Sequence, residues 1–246
     1  MRNFRIILFT LLSVCSLTVR GASDLNSVLE RGRDLFGYGR WSDARHEFLR
    51  ARALLDPADR AAREEIDYYL AACAVELGSG DAEGALRDFE RRHPGSVYAN
   101  DVRFSLGSYY CAVGNMPLAR EAFERTEYKA LSAPRREQYD IRMGYVEFTQ
   151  GDYAAAYDRF SRIGSRSEYA DHALYYRSYI DYAEGRYDRA KEGFTQLTRS
   201  DAYRDLVPFY LLQIEFRNGN YRYVVDHGEE LVRKAVPERQ AELERV

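Results

Sequence analysis

The sequence has few of the residues from which catalytic and metal sites are built. Its 246 residues include four histidines, three cysteines and one tryptophan. The histidines are scattered, without the His-Glu-x-x-His spacing of a zinc site, and there is neither a Gly-x-Ser-x-Gly motif nor a phosphate-binding loop. Because no motif groups a nucleophile with a base and an orienting partner, we expect no enzyme activity and no bound cofactor or metal.

The sequence also has no excess of positive charge. Arg2, Arg5 and Arg20 are the only charged residues among the first 23, so removing their three charges from the net charge of −3 leaves −6 on the remaining chain. Nucleic-acid binding needs a clustered basic face, so we predict no nucleic-acid partner. A hydrophobic content of 46% is enough for a globular core.

The apolar run near the N-terminus is too short to cross a membrane comfortably. It has nine residues, 6–14, whereas a span needs about 20. Arg2 and Arg5 precede it, and the small residues 21–23 follow it, which is the order of a secretory signal. We predict that residues 1–23 are an export signal, with a retained N-terminal anchor as the alternative.

The three cysteines raise two questions. Cys15 ends a Leu-Ser-Val-Cys stretch that resembles the lipidation motif of bacterial lipoproteins, although Val14 replaces the usual small residue. Cys15 is therefore a candidate lipid anchor, with ordinary cleavage near residues 21–23 favoured. Cys73 and Cys111 fall at apolar helix positions, so we expect small core residues, with a disulfide as the alternative.

One short pattern recurs along the chain at a spacing of mostly 34 residues. Its anchor glycines are Gly39, Gly80, Gly114, Gly151, Gly185 and Gly219. Two residues after them stand Trp41, Ala82, Met116, Tyr153, Tyr187 and Tyr221; nine residues after the first five stand Phe48, Phe89, Phe123, Phe160 and Phe194. Ala or Val follows each glycine by five residues. Such a period indicates one supersecondary unit repeated.

Apolar residues also precede each glycine by ten, seven and three positions, usually with a small residue in the middle. Phe104, Gly107 and Cys111 are one such set; counted from Gly80, another is Leu70, Cys73 and Leu77. This spacing marks one face of a helix. Each unit is therefore predicted to be a helix A that ends at the glycine, a tight turn, and a helix B.

This pattern resembles the tetratricopeptide repeat (TPR), with its small residue near position 8, Gly at 15, an aromatic at 17, Ala at 20 and an aromatic at 24. The resemblance covers about residues 25–246 and rests on six phased copies, although the Trp at position 4 and the Pro at position 32 are absent. The resemblance implies an all-α fold: an α-solenoid of antiparallel helix pairs, about six TPR repeats in a right-handed superhelix, with helices A lining its concave face.

The phase of the glycines divides the chain into an export signal, residues 1–23, and an array, residues 24–246. The predicted repeats are 25–58, 66–99, 100–133, 137–170, 171–204, 205–238 and a truncated seventh, 239–246. From the incomplete seventh repeat we expect either a longer protein or a last helix without its partner helix. Ser132 and Pro134 predict a helix start, and Pro208 predicts a late start for the sixth helix A.

A second phrase recurs before two of the helices A. "HPGSVYANDVRFSLGSYY" (93–110) and "SRSEYADHALYYRSYIDY" (165–182) match in phase, and Ser96, Ser167 and Asp201 are predicted helix N-caps. The phrase resembles the periplasmic TPR proteins of the outer-membrane β-barrel assembly and Tol–Pal systems. That resemblance implies an exported protein, periplasmic or associated with the outer membrane.

The TPR resemblance also selects a candidate binding face. Positions 2, 5, 9, 12 and 13 of helix A face the groove of TPR proteins, which here implies Tyr145, Phe148, Tyr179, Tyr182 and His172. Tyrosines are large, rigid and polar at the tip, which suits recognition. The alternative is that these aromatic residues serve only in packing. The carboxylate clamp that binds chaperone tails is disfavoured because position 9 has no Asn.

These observations predict a non-enzymatic scaffold of the bacterial cell envelope that binds protein or peptide segments of envelope proteins in its groove. Membrane attachment would come only through the lipid anchor. One alternative is a glycan-binding module, which needs two or three tyrosines in one pocket beside carboxylates or amides. Another is the TPR part of a longer protein whose C-terminal region carries a different activity.

Overall fold

The computed structural model describes residues 24–234, with side chains up to residue 230, and this range is helical with no strand. The export signal, Cys15 and the truncated seventh repeat lie outside the described residues. The helices are α1 (24–37), α2 (Trp41–Leu54), α3 (Arg60–Glu76), α4 (Ala82–Arg92), α5 (Ala99–Ala112), α6 (Met116–Glu124), α7 (Ala133–Thr149), α8 (Tyr153–Ser161), α9 (Ala170–Ala183), α10 (Tyr187–Leu197), α11 (Val207–Arg217) and α12 (Tyr221–Lys234), with a 3₁₀ turn at Tyr128–Ala130. No described helix is long and apolar enough to span a bilayer.

The chain divides into two compact units, one ending at Leu131 and one beginning at Ser132. In the first unit α2 packs on α3, α3 on α4, α4 on α5 and α5 on α6. In the second, each of α7 to α11 packs on the helix that follows it. This chain of neighbouring contacts confirms the predicted array of helix pairs. The repeat boundaries, as a division of the sequence, stay a prediction.

Tight turns join the two helices of each pair. Helices B begin at the six residues that follow the predicted anchor glycines by two, from Trp41 to Tyr221. Gly39, Gly114, Gly151, Gly185 and Gly219 each have a positive φ, between 71° and 79°, which a residue with a side chain adopts only with strain. The glycine pattern therefore predicted both the turn and the start of helix B.

The anchor glycine of the second repeat was predicted wrongly. Gly78, with φ of 60°, ends α3, and Gly80 has no positive φ. The backbone N–H of Ser79 donates to the Ala74 carbonyl at 2.9 Å, the bond that closes the helix end in the other five turns as well. Helix B of this repeat therefore begins four residues after its turn glycine, two more than in the other repeats. Counted from Gly78, the inner face of α3 includes Tyr68 and Ala71, whereas Leu77 is 41% exposed.

Within a pair, helix B places a phenylalanine on a glycine of helix A. Phe48, Phe123 and Phe160 are fully buried, and a Cβ on Gly32, Gly107 or Gly144 would lie 2.6–2.9 Å from the corresponding ring. The prediction that a small residue allows close approach is confirmed in these three pairs. The alanine five residues after the predicted anchor glycine is fully buried in four repeats, whereas Ala85 of the second repeat is half-buried.

Successive pairs are joined by aromatic stacking that the sequence pattern did not predict. Phe48 stacks on Tyr69 with ring centroids 4.6 Å apart, and Phe194 stacks on Tyr210 at 4.8 Å. Phe160 stacks on Tyr176 at 5.0 Å. Each of these tyrosines precedes its turn glycine by nine residues. The phenylalanine of one helix B is therefore packed between two helices A.

The predicted N-cap serines have a different role. The N-caps of α5 and α9 are Tyr98 and Tyr169, and the sixth helix A begins at Val207, so the N-cap assignments of Ser96, Ser167 and Asp201 were wrong. Each serine hydroxyl instead accepts from the tyrosine N–H and donates to an acid at the start of the previous helix A. The donated bonds are Ser96 to Glu64 at 2.6 Å and Ser167 to Glu137 at 3.0 Å.

Prolines and cysteines fall where the sequence predicted them. Ser132 is the N-cap residue of α7, Pro134 lies in its first turn, and Pro208 lies in the first turn of the late-starting α11. Cys73 is fully buried and Cys111 is half-buried, and both are thiols. Burial raises the pKa of the Cys73 thiol to about 11, so it stays protonated at neutral pH.

Candidate binding face on α7, α9 and α11

Two aromatic residues of α7 begin the candidate face, which lies within the second unit. Tyr145 and Phe148 are one helical turn apart and both are half-buried. Their rings lie 5.7 and 4.9 Å from the ring of Tyr176 on α9, and Phe148 also meets Tyr179 edge-on at 5.3 Å. The structure thus brings the predicted residues of α7 and α9 together.

Two tyrosines of α9 continue the same row toward α11. Tyr179 and Tyr182 are half-buried and meet the ring of Tyr210 edge-on at 5.8 and 5.6 Å. The Tyr182 hydroxyl donates a hydrogen bond to the Gln213 side-chain oxygen. The four predicted aromatic residues, two on α7 and two on α9, therefore form a row that contacts α11 through Tyr210 and the Gln213 amide. We use the name aromatic row for Tyr145, Phe148, Tyr179 and Tyr182.

His172, the fifth predicted residue, lies at the first turn of α9 and away from this row along the helix. It is exposed, and its Nδ1 lies 2.5 Å from the hydroxyl of Tyr203 in the loop before α11. Next to it, the Ser200 hydroxyl donates to the Asp171 carboxylate at 2.5 Å. His172 therefore helps to join one pair to the next at the end of the face.

Two further tyrosines, Tyr176 and Tyr210, pack against the aromatic row and hold it in place. Tyr210 is 8% exposed, and Tyr176 stacks on the fully buried Phe160. Burial raises the pKa of Tyr176 to about 12, with a smaller contribution from Tyr145, so the ring remains neutral. Tyr176 and Tyr210 could have been found in the sequence, since both precede a turn glycine by nine residues. Their role was missed because it depends on stacking against the helix B of the preceding pair.

Three buried carboxylates recur four residues before the glycines of the second unit. Glu147, Asp181 and Glu215 are 3%, 4% and 6% exposed. Their cationic partners are Arg159 at 3.4 Å, Arg186 at 2.6 Å and Lys191 at 2.5 Å. Buried acids often mark catalytic sites. Each of these three is instead paired with a cationic side chain, in a contact between two helices or in a turn, which indicates a structural role.

Among the described residues, no group of three His, Cys, Asp or Glu side chains is arranged to hold a metal ion. The aromatic row supplies ring faces and phenolic hydroxyls, and the neighbouring Gln213 supplies an amide. Such a surface can stack on apolar groups and hydrogen-bond to carbonyls.

Comparisons with known proteins find similarity at the level of the fold. No family model matches the sequence, and no curated protein matches it significantly. A solved TPR protein from Parabacteroides merdae is 15% identical, with a TM-score of 0.56 over 87% of this chain and 80% of that one. The Cut9–Hcn1 hetero-tetramer of the APC/C gives 17% identity and a TM-score of 0.53 over 89% of this chain and 42% of that one.

At these identities the comparisons establish the fold alone. The helix pairs, the turn glycines and the buried phenylalanines agree with that result independently. The described chain is an all-α solenoid of TPR-type helix pairs.

Proposed function

We propose that the protein is a non-enzymatic scaffold of the bacterial cell envelope that binds a segment of a partner protein on the aromatic row. The observation that carries this proposal is the continuity of the row. Its four rings lie on α7 and α9 and are half-buried, so that part of each ring packs and part stays accessible. The rings of Tyr179 and Tyr182 also contact Tyr210 of α11. Rigid aromatic residues of this kind are common binding hot spots.

The distribution of the tyrosines favours a peptide over a glycan. Tyr145 lies on α7 and Tyr179 one repeat later on α9, and the row contacts Gln213 on α11. An extended segment that crosses successive helices A would meet all of these groups. A sugar would need two or three rings in one pocket with polar groups beside them, whereas the row has a single amide beside it.

The partner class and the location draw on two further observations. The Cut9 neighbour is seen in an assembly with Hcn1, which supports a protein as partner for a chain of this fold. Export is supported by the basic and apolar residues near the N-terminus and by Cys15, whose surroundings resemble a lipidation motif. Palmitate labelling and cell fractionation of the wild type and a Cys15→Ser variant would test the anchor: equal labelling of the two removes Cys15 as its site.

The binding face is tested by the double variant Tyr145→Ala/Tyr179→Ala. We expect pull-down from an envelope extract to lose the partners that the wild type recovers. Tyr38→Ala is the matched control, because Tyr38 is 82% exposed and lies in the first unit. Thermal unfolding of the wild type and both variants shows whether a loss of partner binding is accompanied by a loss of stability.

Recovery of the same partners by the double variant, with a lowered Tm, would show that these tyrosines only pack. Binding of the wild type to cell-wall glycans instead of protein, with the same loss in the double variant, would favour the glycan-binding alternative.

A further inference from the structure

One side of α9 lines a polar pocket of about 300 Å³ between α8, α9 and α10. Leu174, Arg177, Ser178 and Asp181 are spaced i, i+3, i+4 and i+7 on this side. None of the four residues of the aromatic row lines this pocket, so the pocket and the proposed binding face are distinct. The groups of interest in the pocket are Tyr157, Arg177, Asp181, Arg189, Glu192 and Gln196.

The close approach of α9 and α10 forms the floor of the pocket. A Cβ on Gly193 would overlap the Ser178 hydroxyl oxygen, so this glycine allows the two helices to meet. The Ser178 hydroxyl donates to the Leu174 carbonyl at 2.8 Å. The floor is therefore closed and its hydroxyl proton is used, which leaves the charged side chains to determine what the pocket binds.

The Arg177 guanidinium in the pocket lacks a carboxylate partner. Its Nε is buried without a hydrogen-bond acceptor, and within the part of the chain that the structure describes Arg177 makes no ion pair. Its guanidinium lies 5.4 Å from the centre of the Tyr157 ring. The buried acid of the pocket, Asp181, is engaged by Arg186 at 2.6 Å. Arginine stays charged in proteins, and a buried N–H without an acceptor is costly.

We propose that this pocket binds a carboxylate, which accepts hydrogen bonds from the Arg177 guanidinium while the guanidinium rests on Tyr157. Arg189 and Gln196, both exposed at the rim, supply further donors. A guanidinium matches the two oxygens of a carboxylate in a fork geometry. Carboxylate binding in this pocket does not depend on the proposed binding of a partner segment to the aromatic row, and the two are tested separately.

The charges around the pocket favour a monoanion over a dianion. Arg177, Arg189 and Glu192 line the pocket, and Asp181, which also lines it, is already paired with Arg186. The two arginines and Glu192 together leave one positive charge, which a single negative charge balances and a second one exceeds. The pocket should therefore discriminate against inorganic phosphate at neutral pH and accept a carboxylate from an acidic side chain, a chain terminus or a small acid.

The test is a titration of the full-length protein labelled with ¹⁵N, observed at the Nε–Hε signals of arginine. The probes are propionate, an amidated peptide with one Glu, an acid-free peptide with a free C-terminus, and inorganic phosphate. The Gln analogue of the Glu peptide is the uncharged control. We expect at least one carboxylate probe to shift the Arg177 signal saturably at about millimolar concentration, and the responding probes identify the source of the carboxylate.

Two variants and one control complete the design. Arg177→Gln should weaken carboxylate binding about tenfold or more, because a charge-assisted pair is lost. Arg177→Lys keeps the positive charge and the aliphatic part of the side chain but loses the two parallel N–H donors of the guanidinium. Its carboxylate affinity should lie between those of Arg177→Gln and the wild type. Arg199→Gln, at an exposed position just after α10 and outside the pocket, should bind as the wild type does.

The wild-type titration decides the proposal even if a variant fails to fold. The absence of any saturable shift at Arg177 with the three carboxylate probes would overturn it. So would phosphate binding as tight as the best carboxylate, because the charge argument would then be wrong. A shift caused equally by the Gln peptide would show that the carboxylate is not what is recognised.

Discussion

At the scale of single residues, glycine determines how closely the helices approach, and its meaning depends on what faces it. Gly107 in α5 lies against the fully buried Phe123, whereas Gly84 in α4 is exposed, and a Cβ added there would have nothing within 4 Å. Both are helical glycines, and the sequence alone does not distinguish them except through the repeat phase. The same substitution should therefore have opposite effects at the two positions.

We expect Gly107→Ala to lower the free energy of unfolding and Gly84→Ala to raise it. A Cβ on Gly107 would lie 2.6 Å from the Phe123 ring, and forcing an extra methyl into a packed site costs about 1–3 kcal/mol. At Gly84 the gain in helix propensity is about 0.5–1 kcal/mol. Urea denaturation of both variants checks the prediction, and destabilisation of equal size at the two positions would contradict it.

At the scale of helices and turns, the sequence predicted most of what depends on neighbours in the chain. The position two residues after each anchor glycine gave the starts of the helices B, and Pro134 and Pro208 marked the starts of α7 and α11. These features are local, because a turn glycine needs its φ whatever packs around it.

The errors concern features that depend on contacts between helices. In the second repeat the residues that follow the turn fit Gly80 as the anchor, and only the packing of α3 decides that Gly78 ends the helix. Ser96 looked like an N-cap because its acceptor role is local, but its second bond goes to Glu64 in another helix. The pocket at Arg177 could not be foreseen, since it depends on which acid Arg186 engages.

The ion pair between α10 and α11 should make stability depend on pH. The hydrogen bond from Lys191 is the main cause that lowers the pKa of Glu215 below its ordinary value of 4.5. A carboxyl whose pKa is lower in the folded state stabilises the fold above its unfolded pKa, and this contribution is lost as pH falls through the folded pKa. The Glu215 carboxylate therefore stabilises the junction at neutral pH and not in acid.

Thermal unfolding of the wild type and Glu215→Gln as a function of pH measures this contribution. We expect the Tm difference between them to be largest above pH 4.5 and to shrink as pH falls below it. Glu229→Gln, at an exposed position of α12, is the control and should give a small difference at every pH. A Glu215→Gln difference that is constant with pH would show that the charge of Glu215 does not stabilise the fold.

At the scale of the whole molecule, most contacts between the described helices join helices that are neighbours along the chain. In the first unit α1 and α2 share a core with α3 around Phe48 and Ile66, and α5 packs mainly on α4 and α6. A repeat array of this kind gains stability from each pair and from the interface with the next pair, so that local damage need not spread evenly.

Hydrogen exchange of the Gly107→Ala variant should show this nearest-neighbour behaviour within the first unit. We expect the amides of α5 and α6 to lose the most protection, because the clash lies between these two helices, and those of α1 and α2 to lose less, because the Phe48 core is built from other side chains. Gly84→Ala, made in the same unit, should leave the protection of α5 and α6 unchanged or higher. An equal loss of protection from α1 to α6 would mean that the unit opens only as a whole, and the stability of each pair could then not be treated as a separate term.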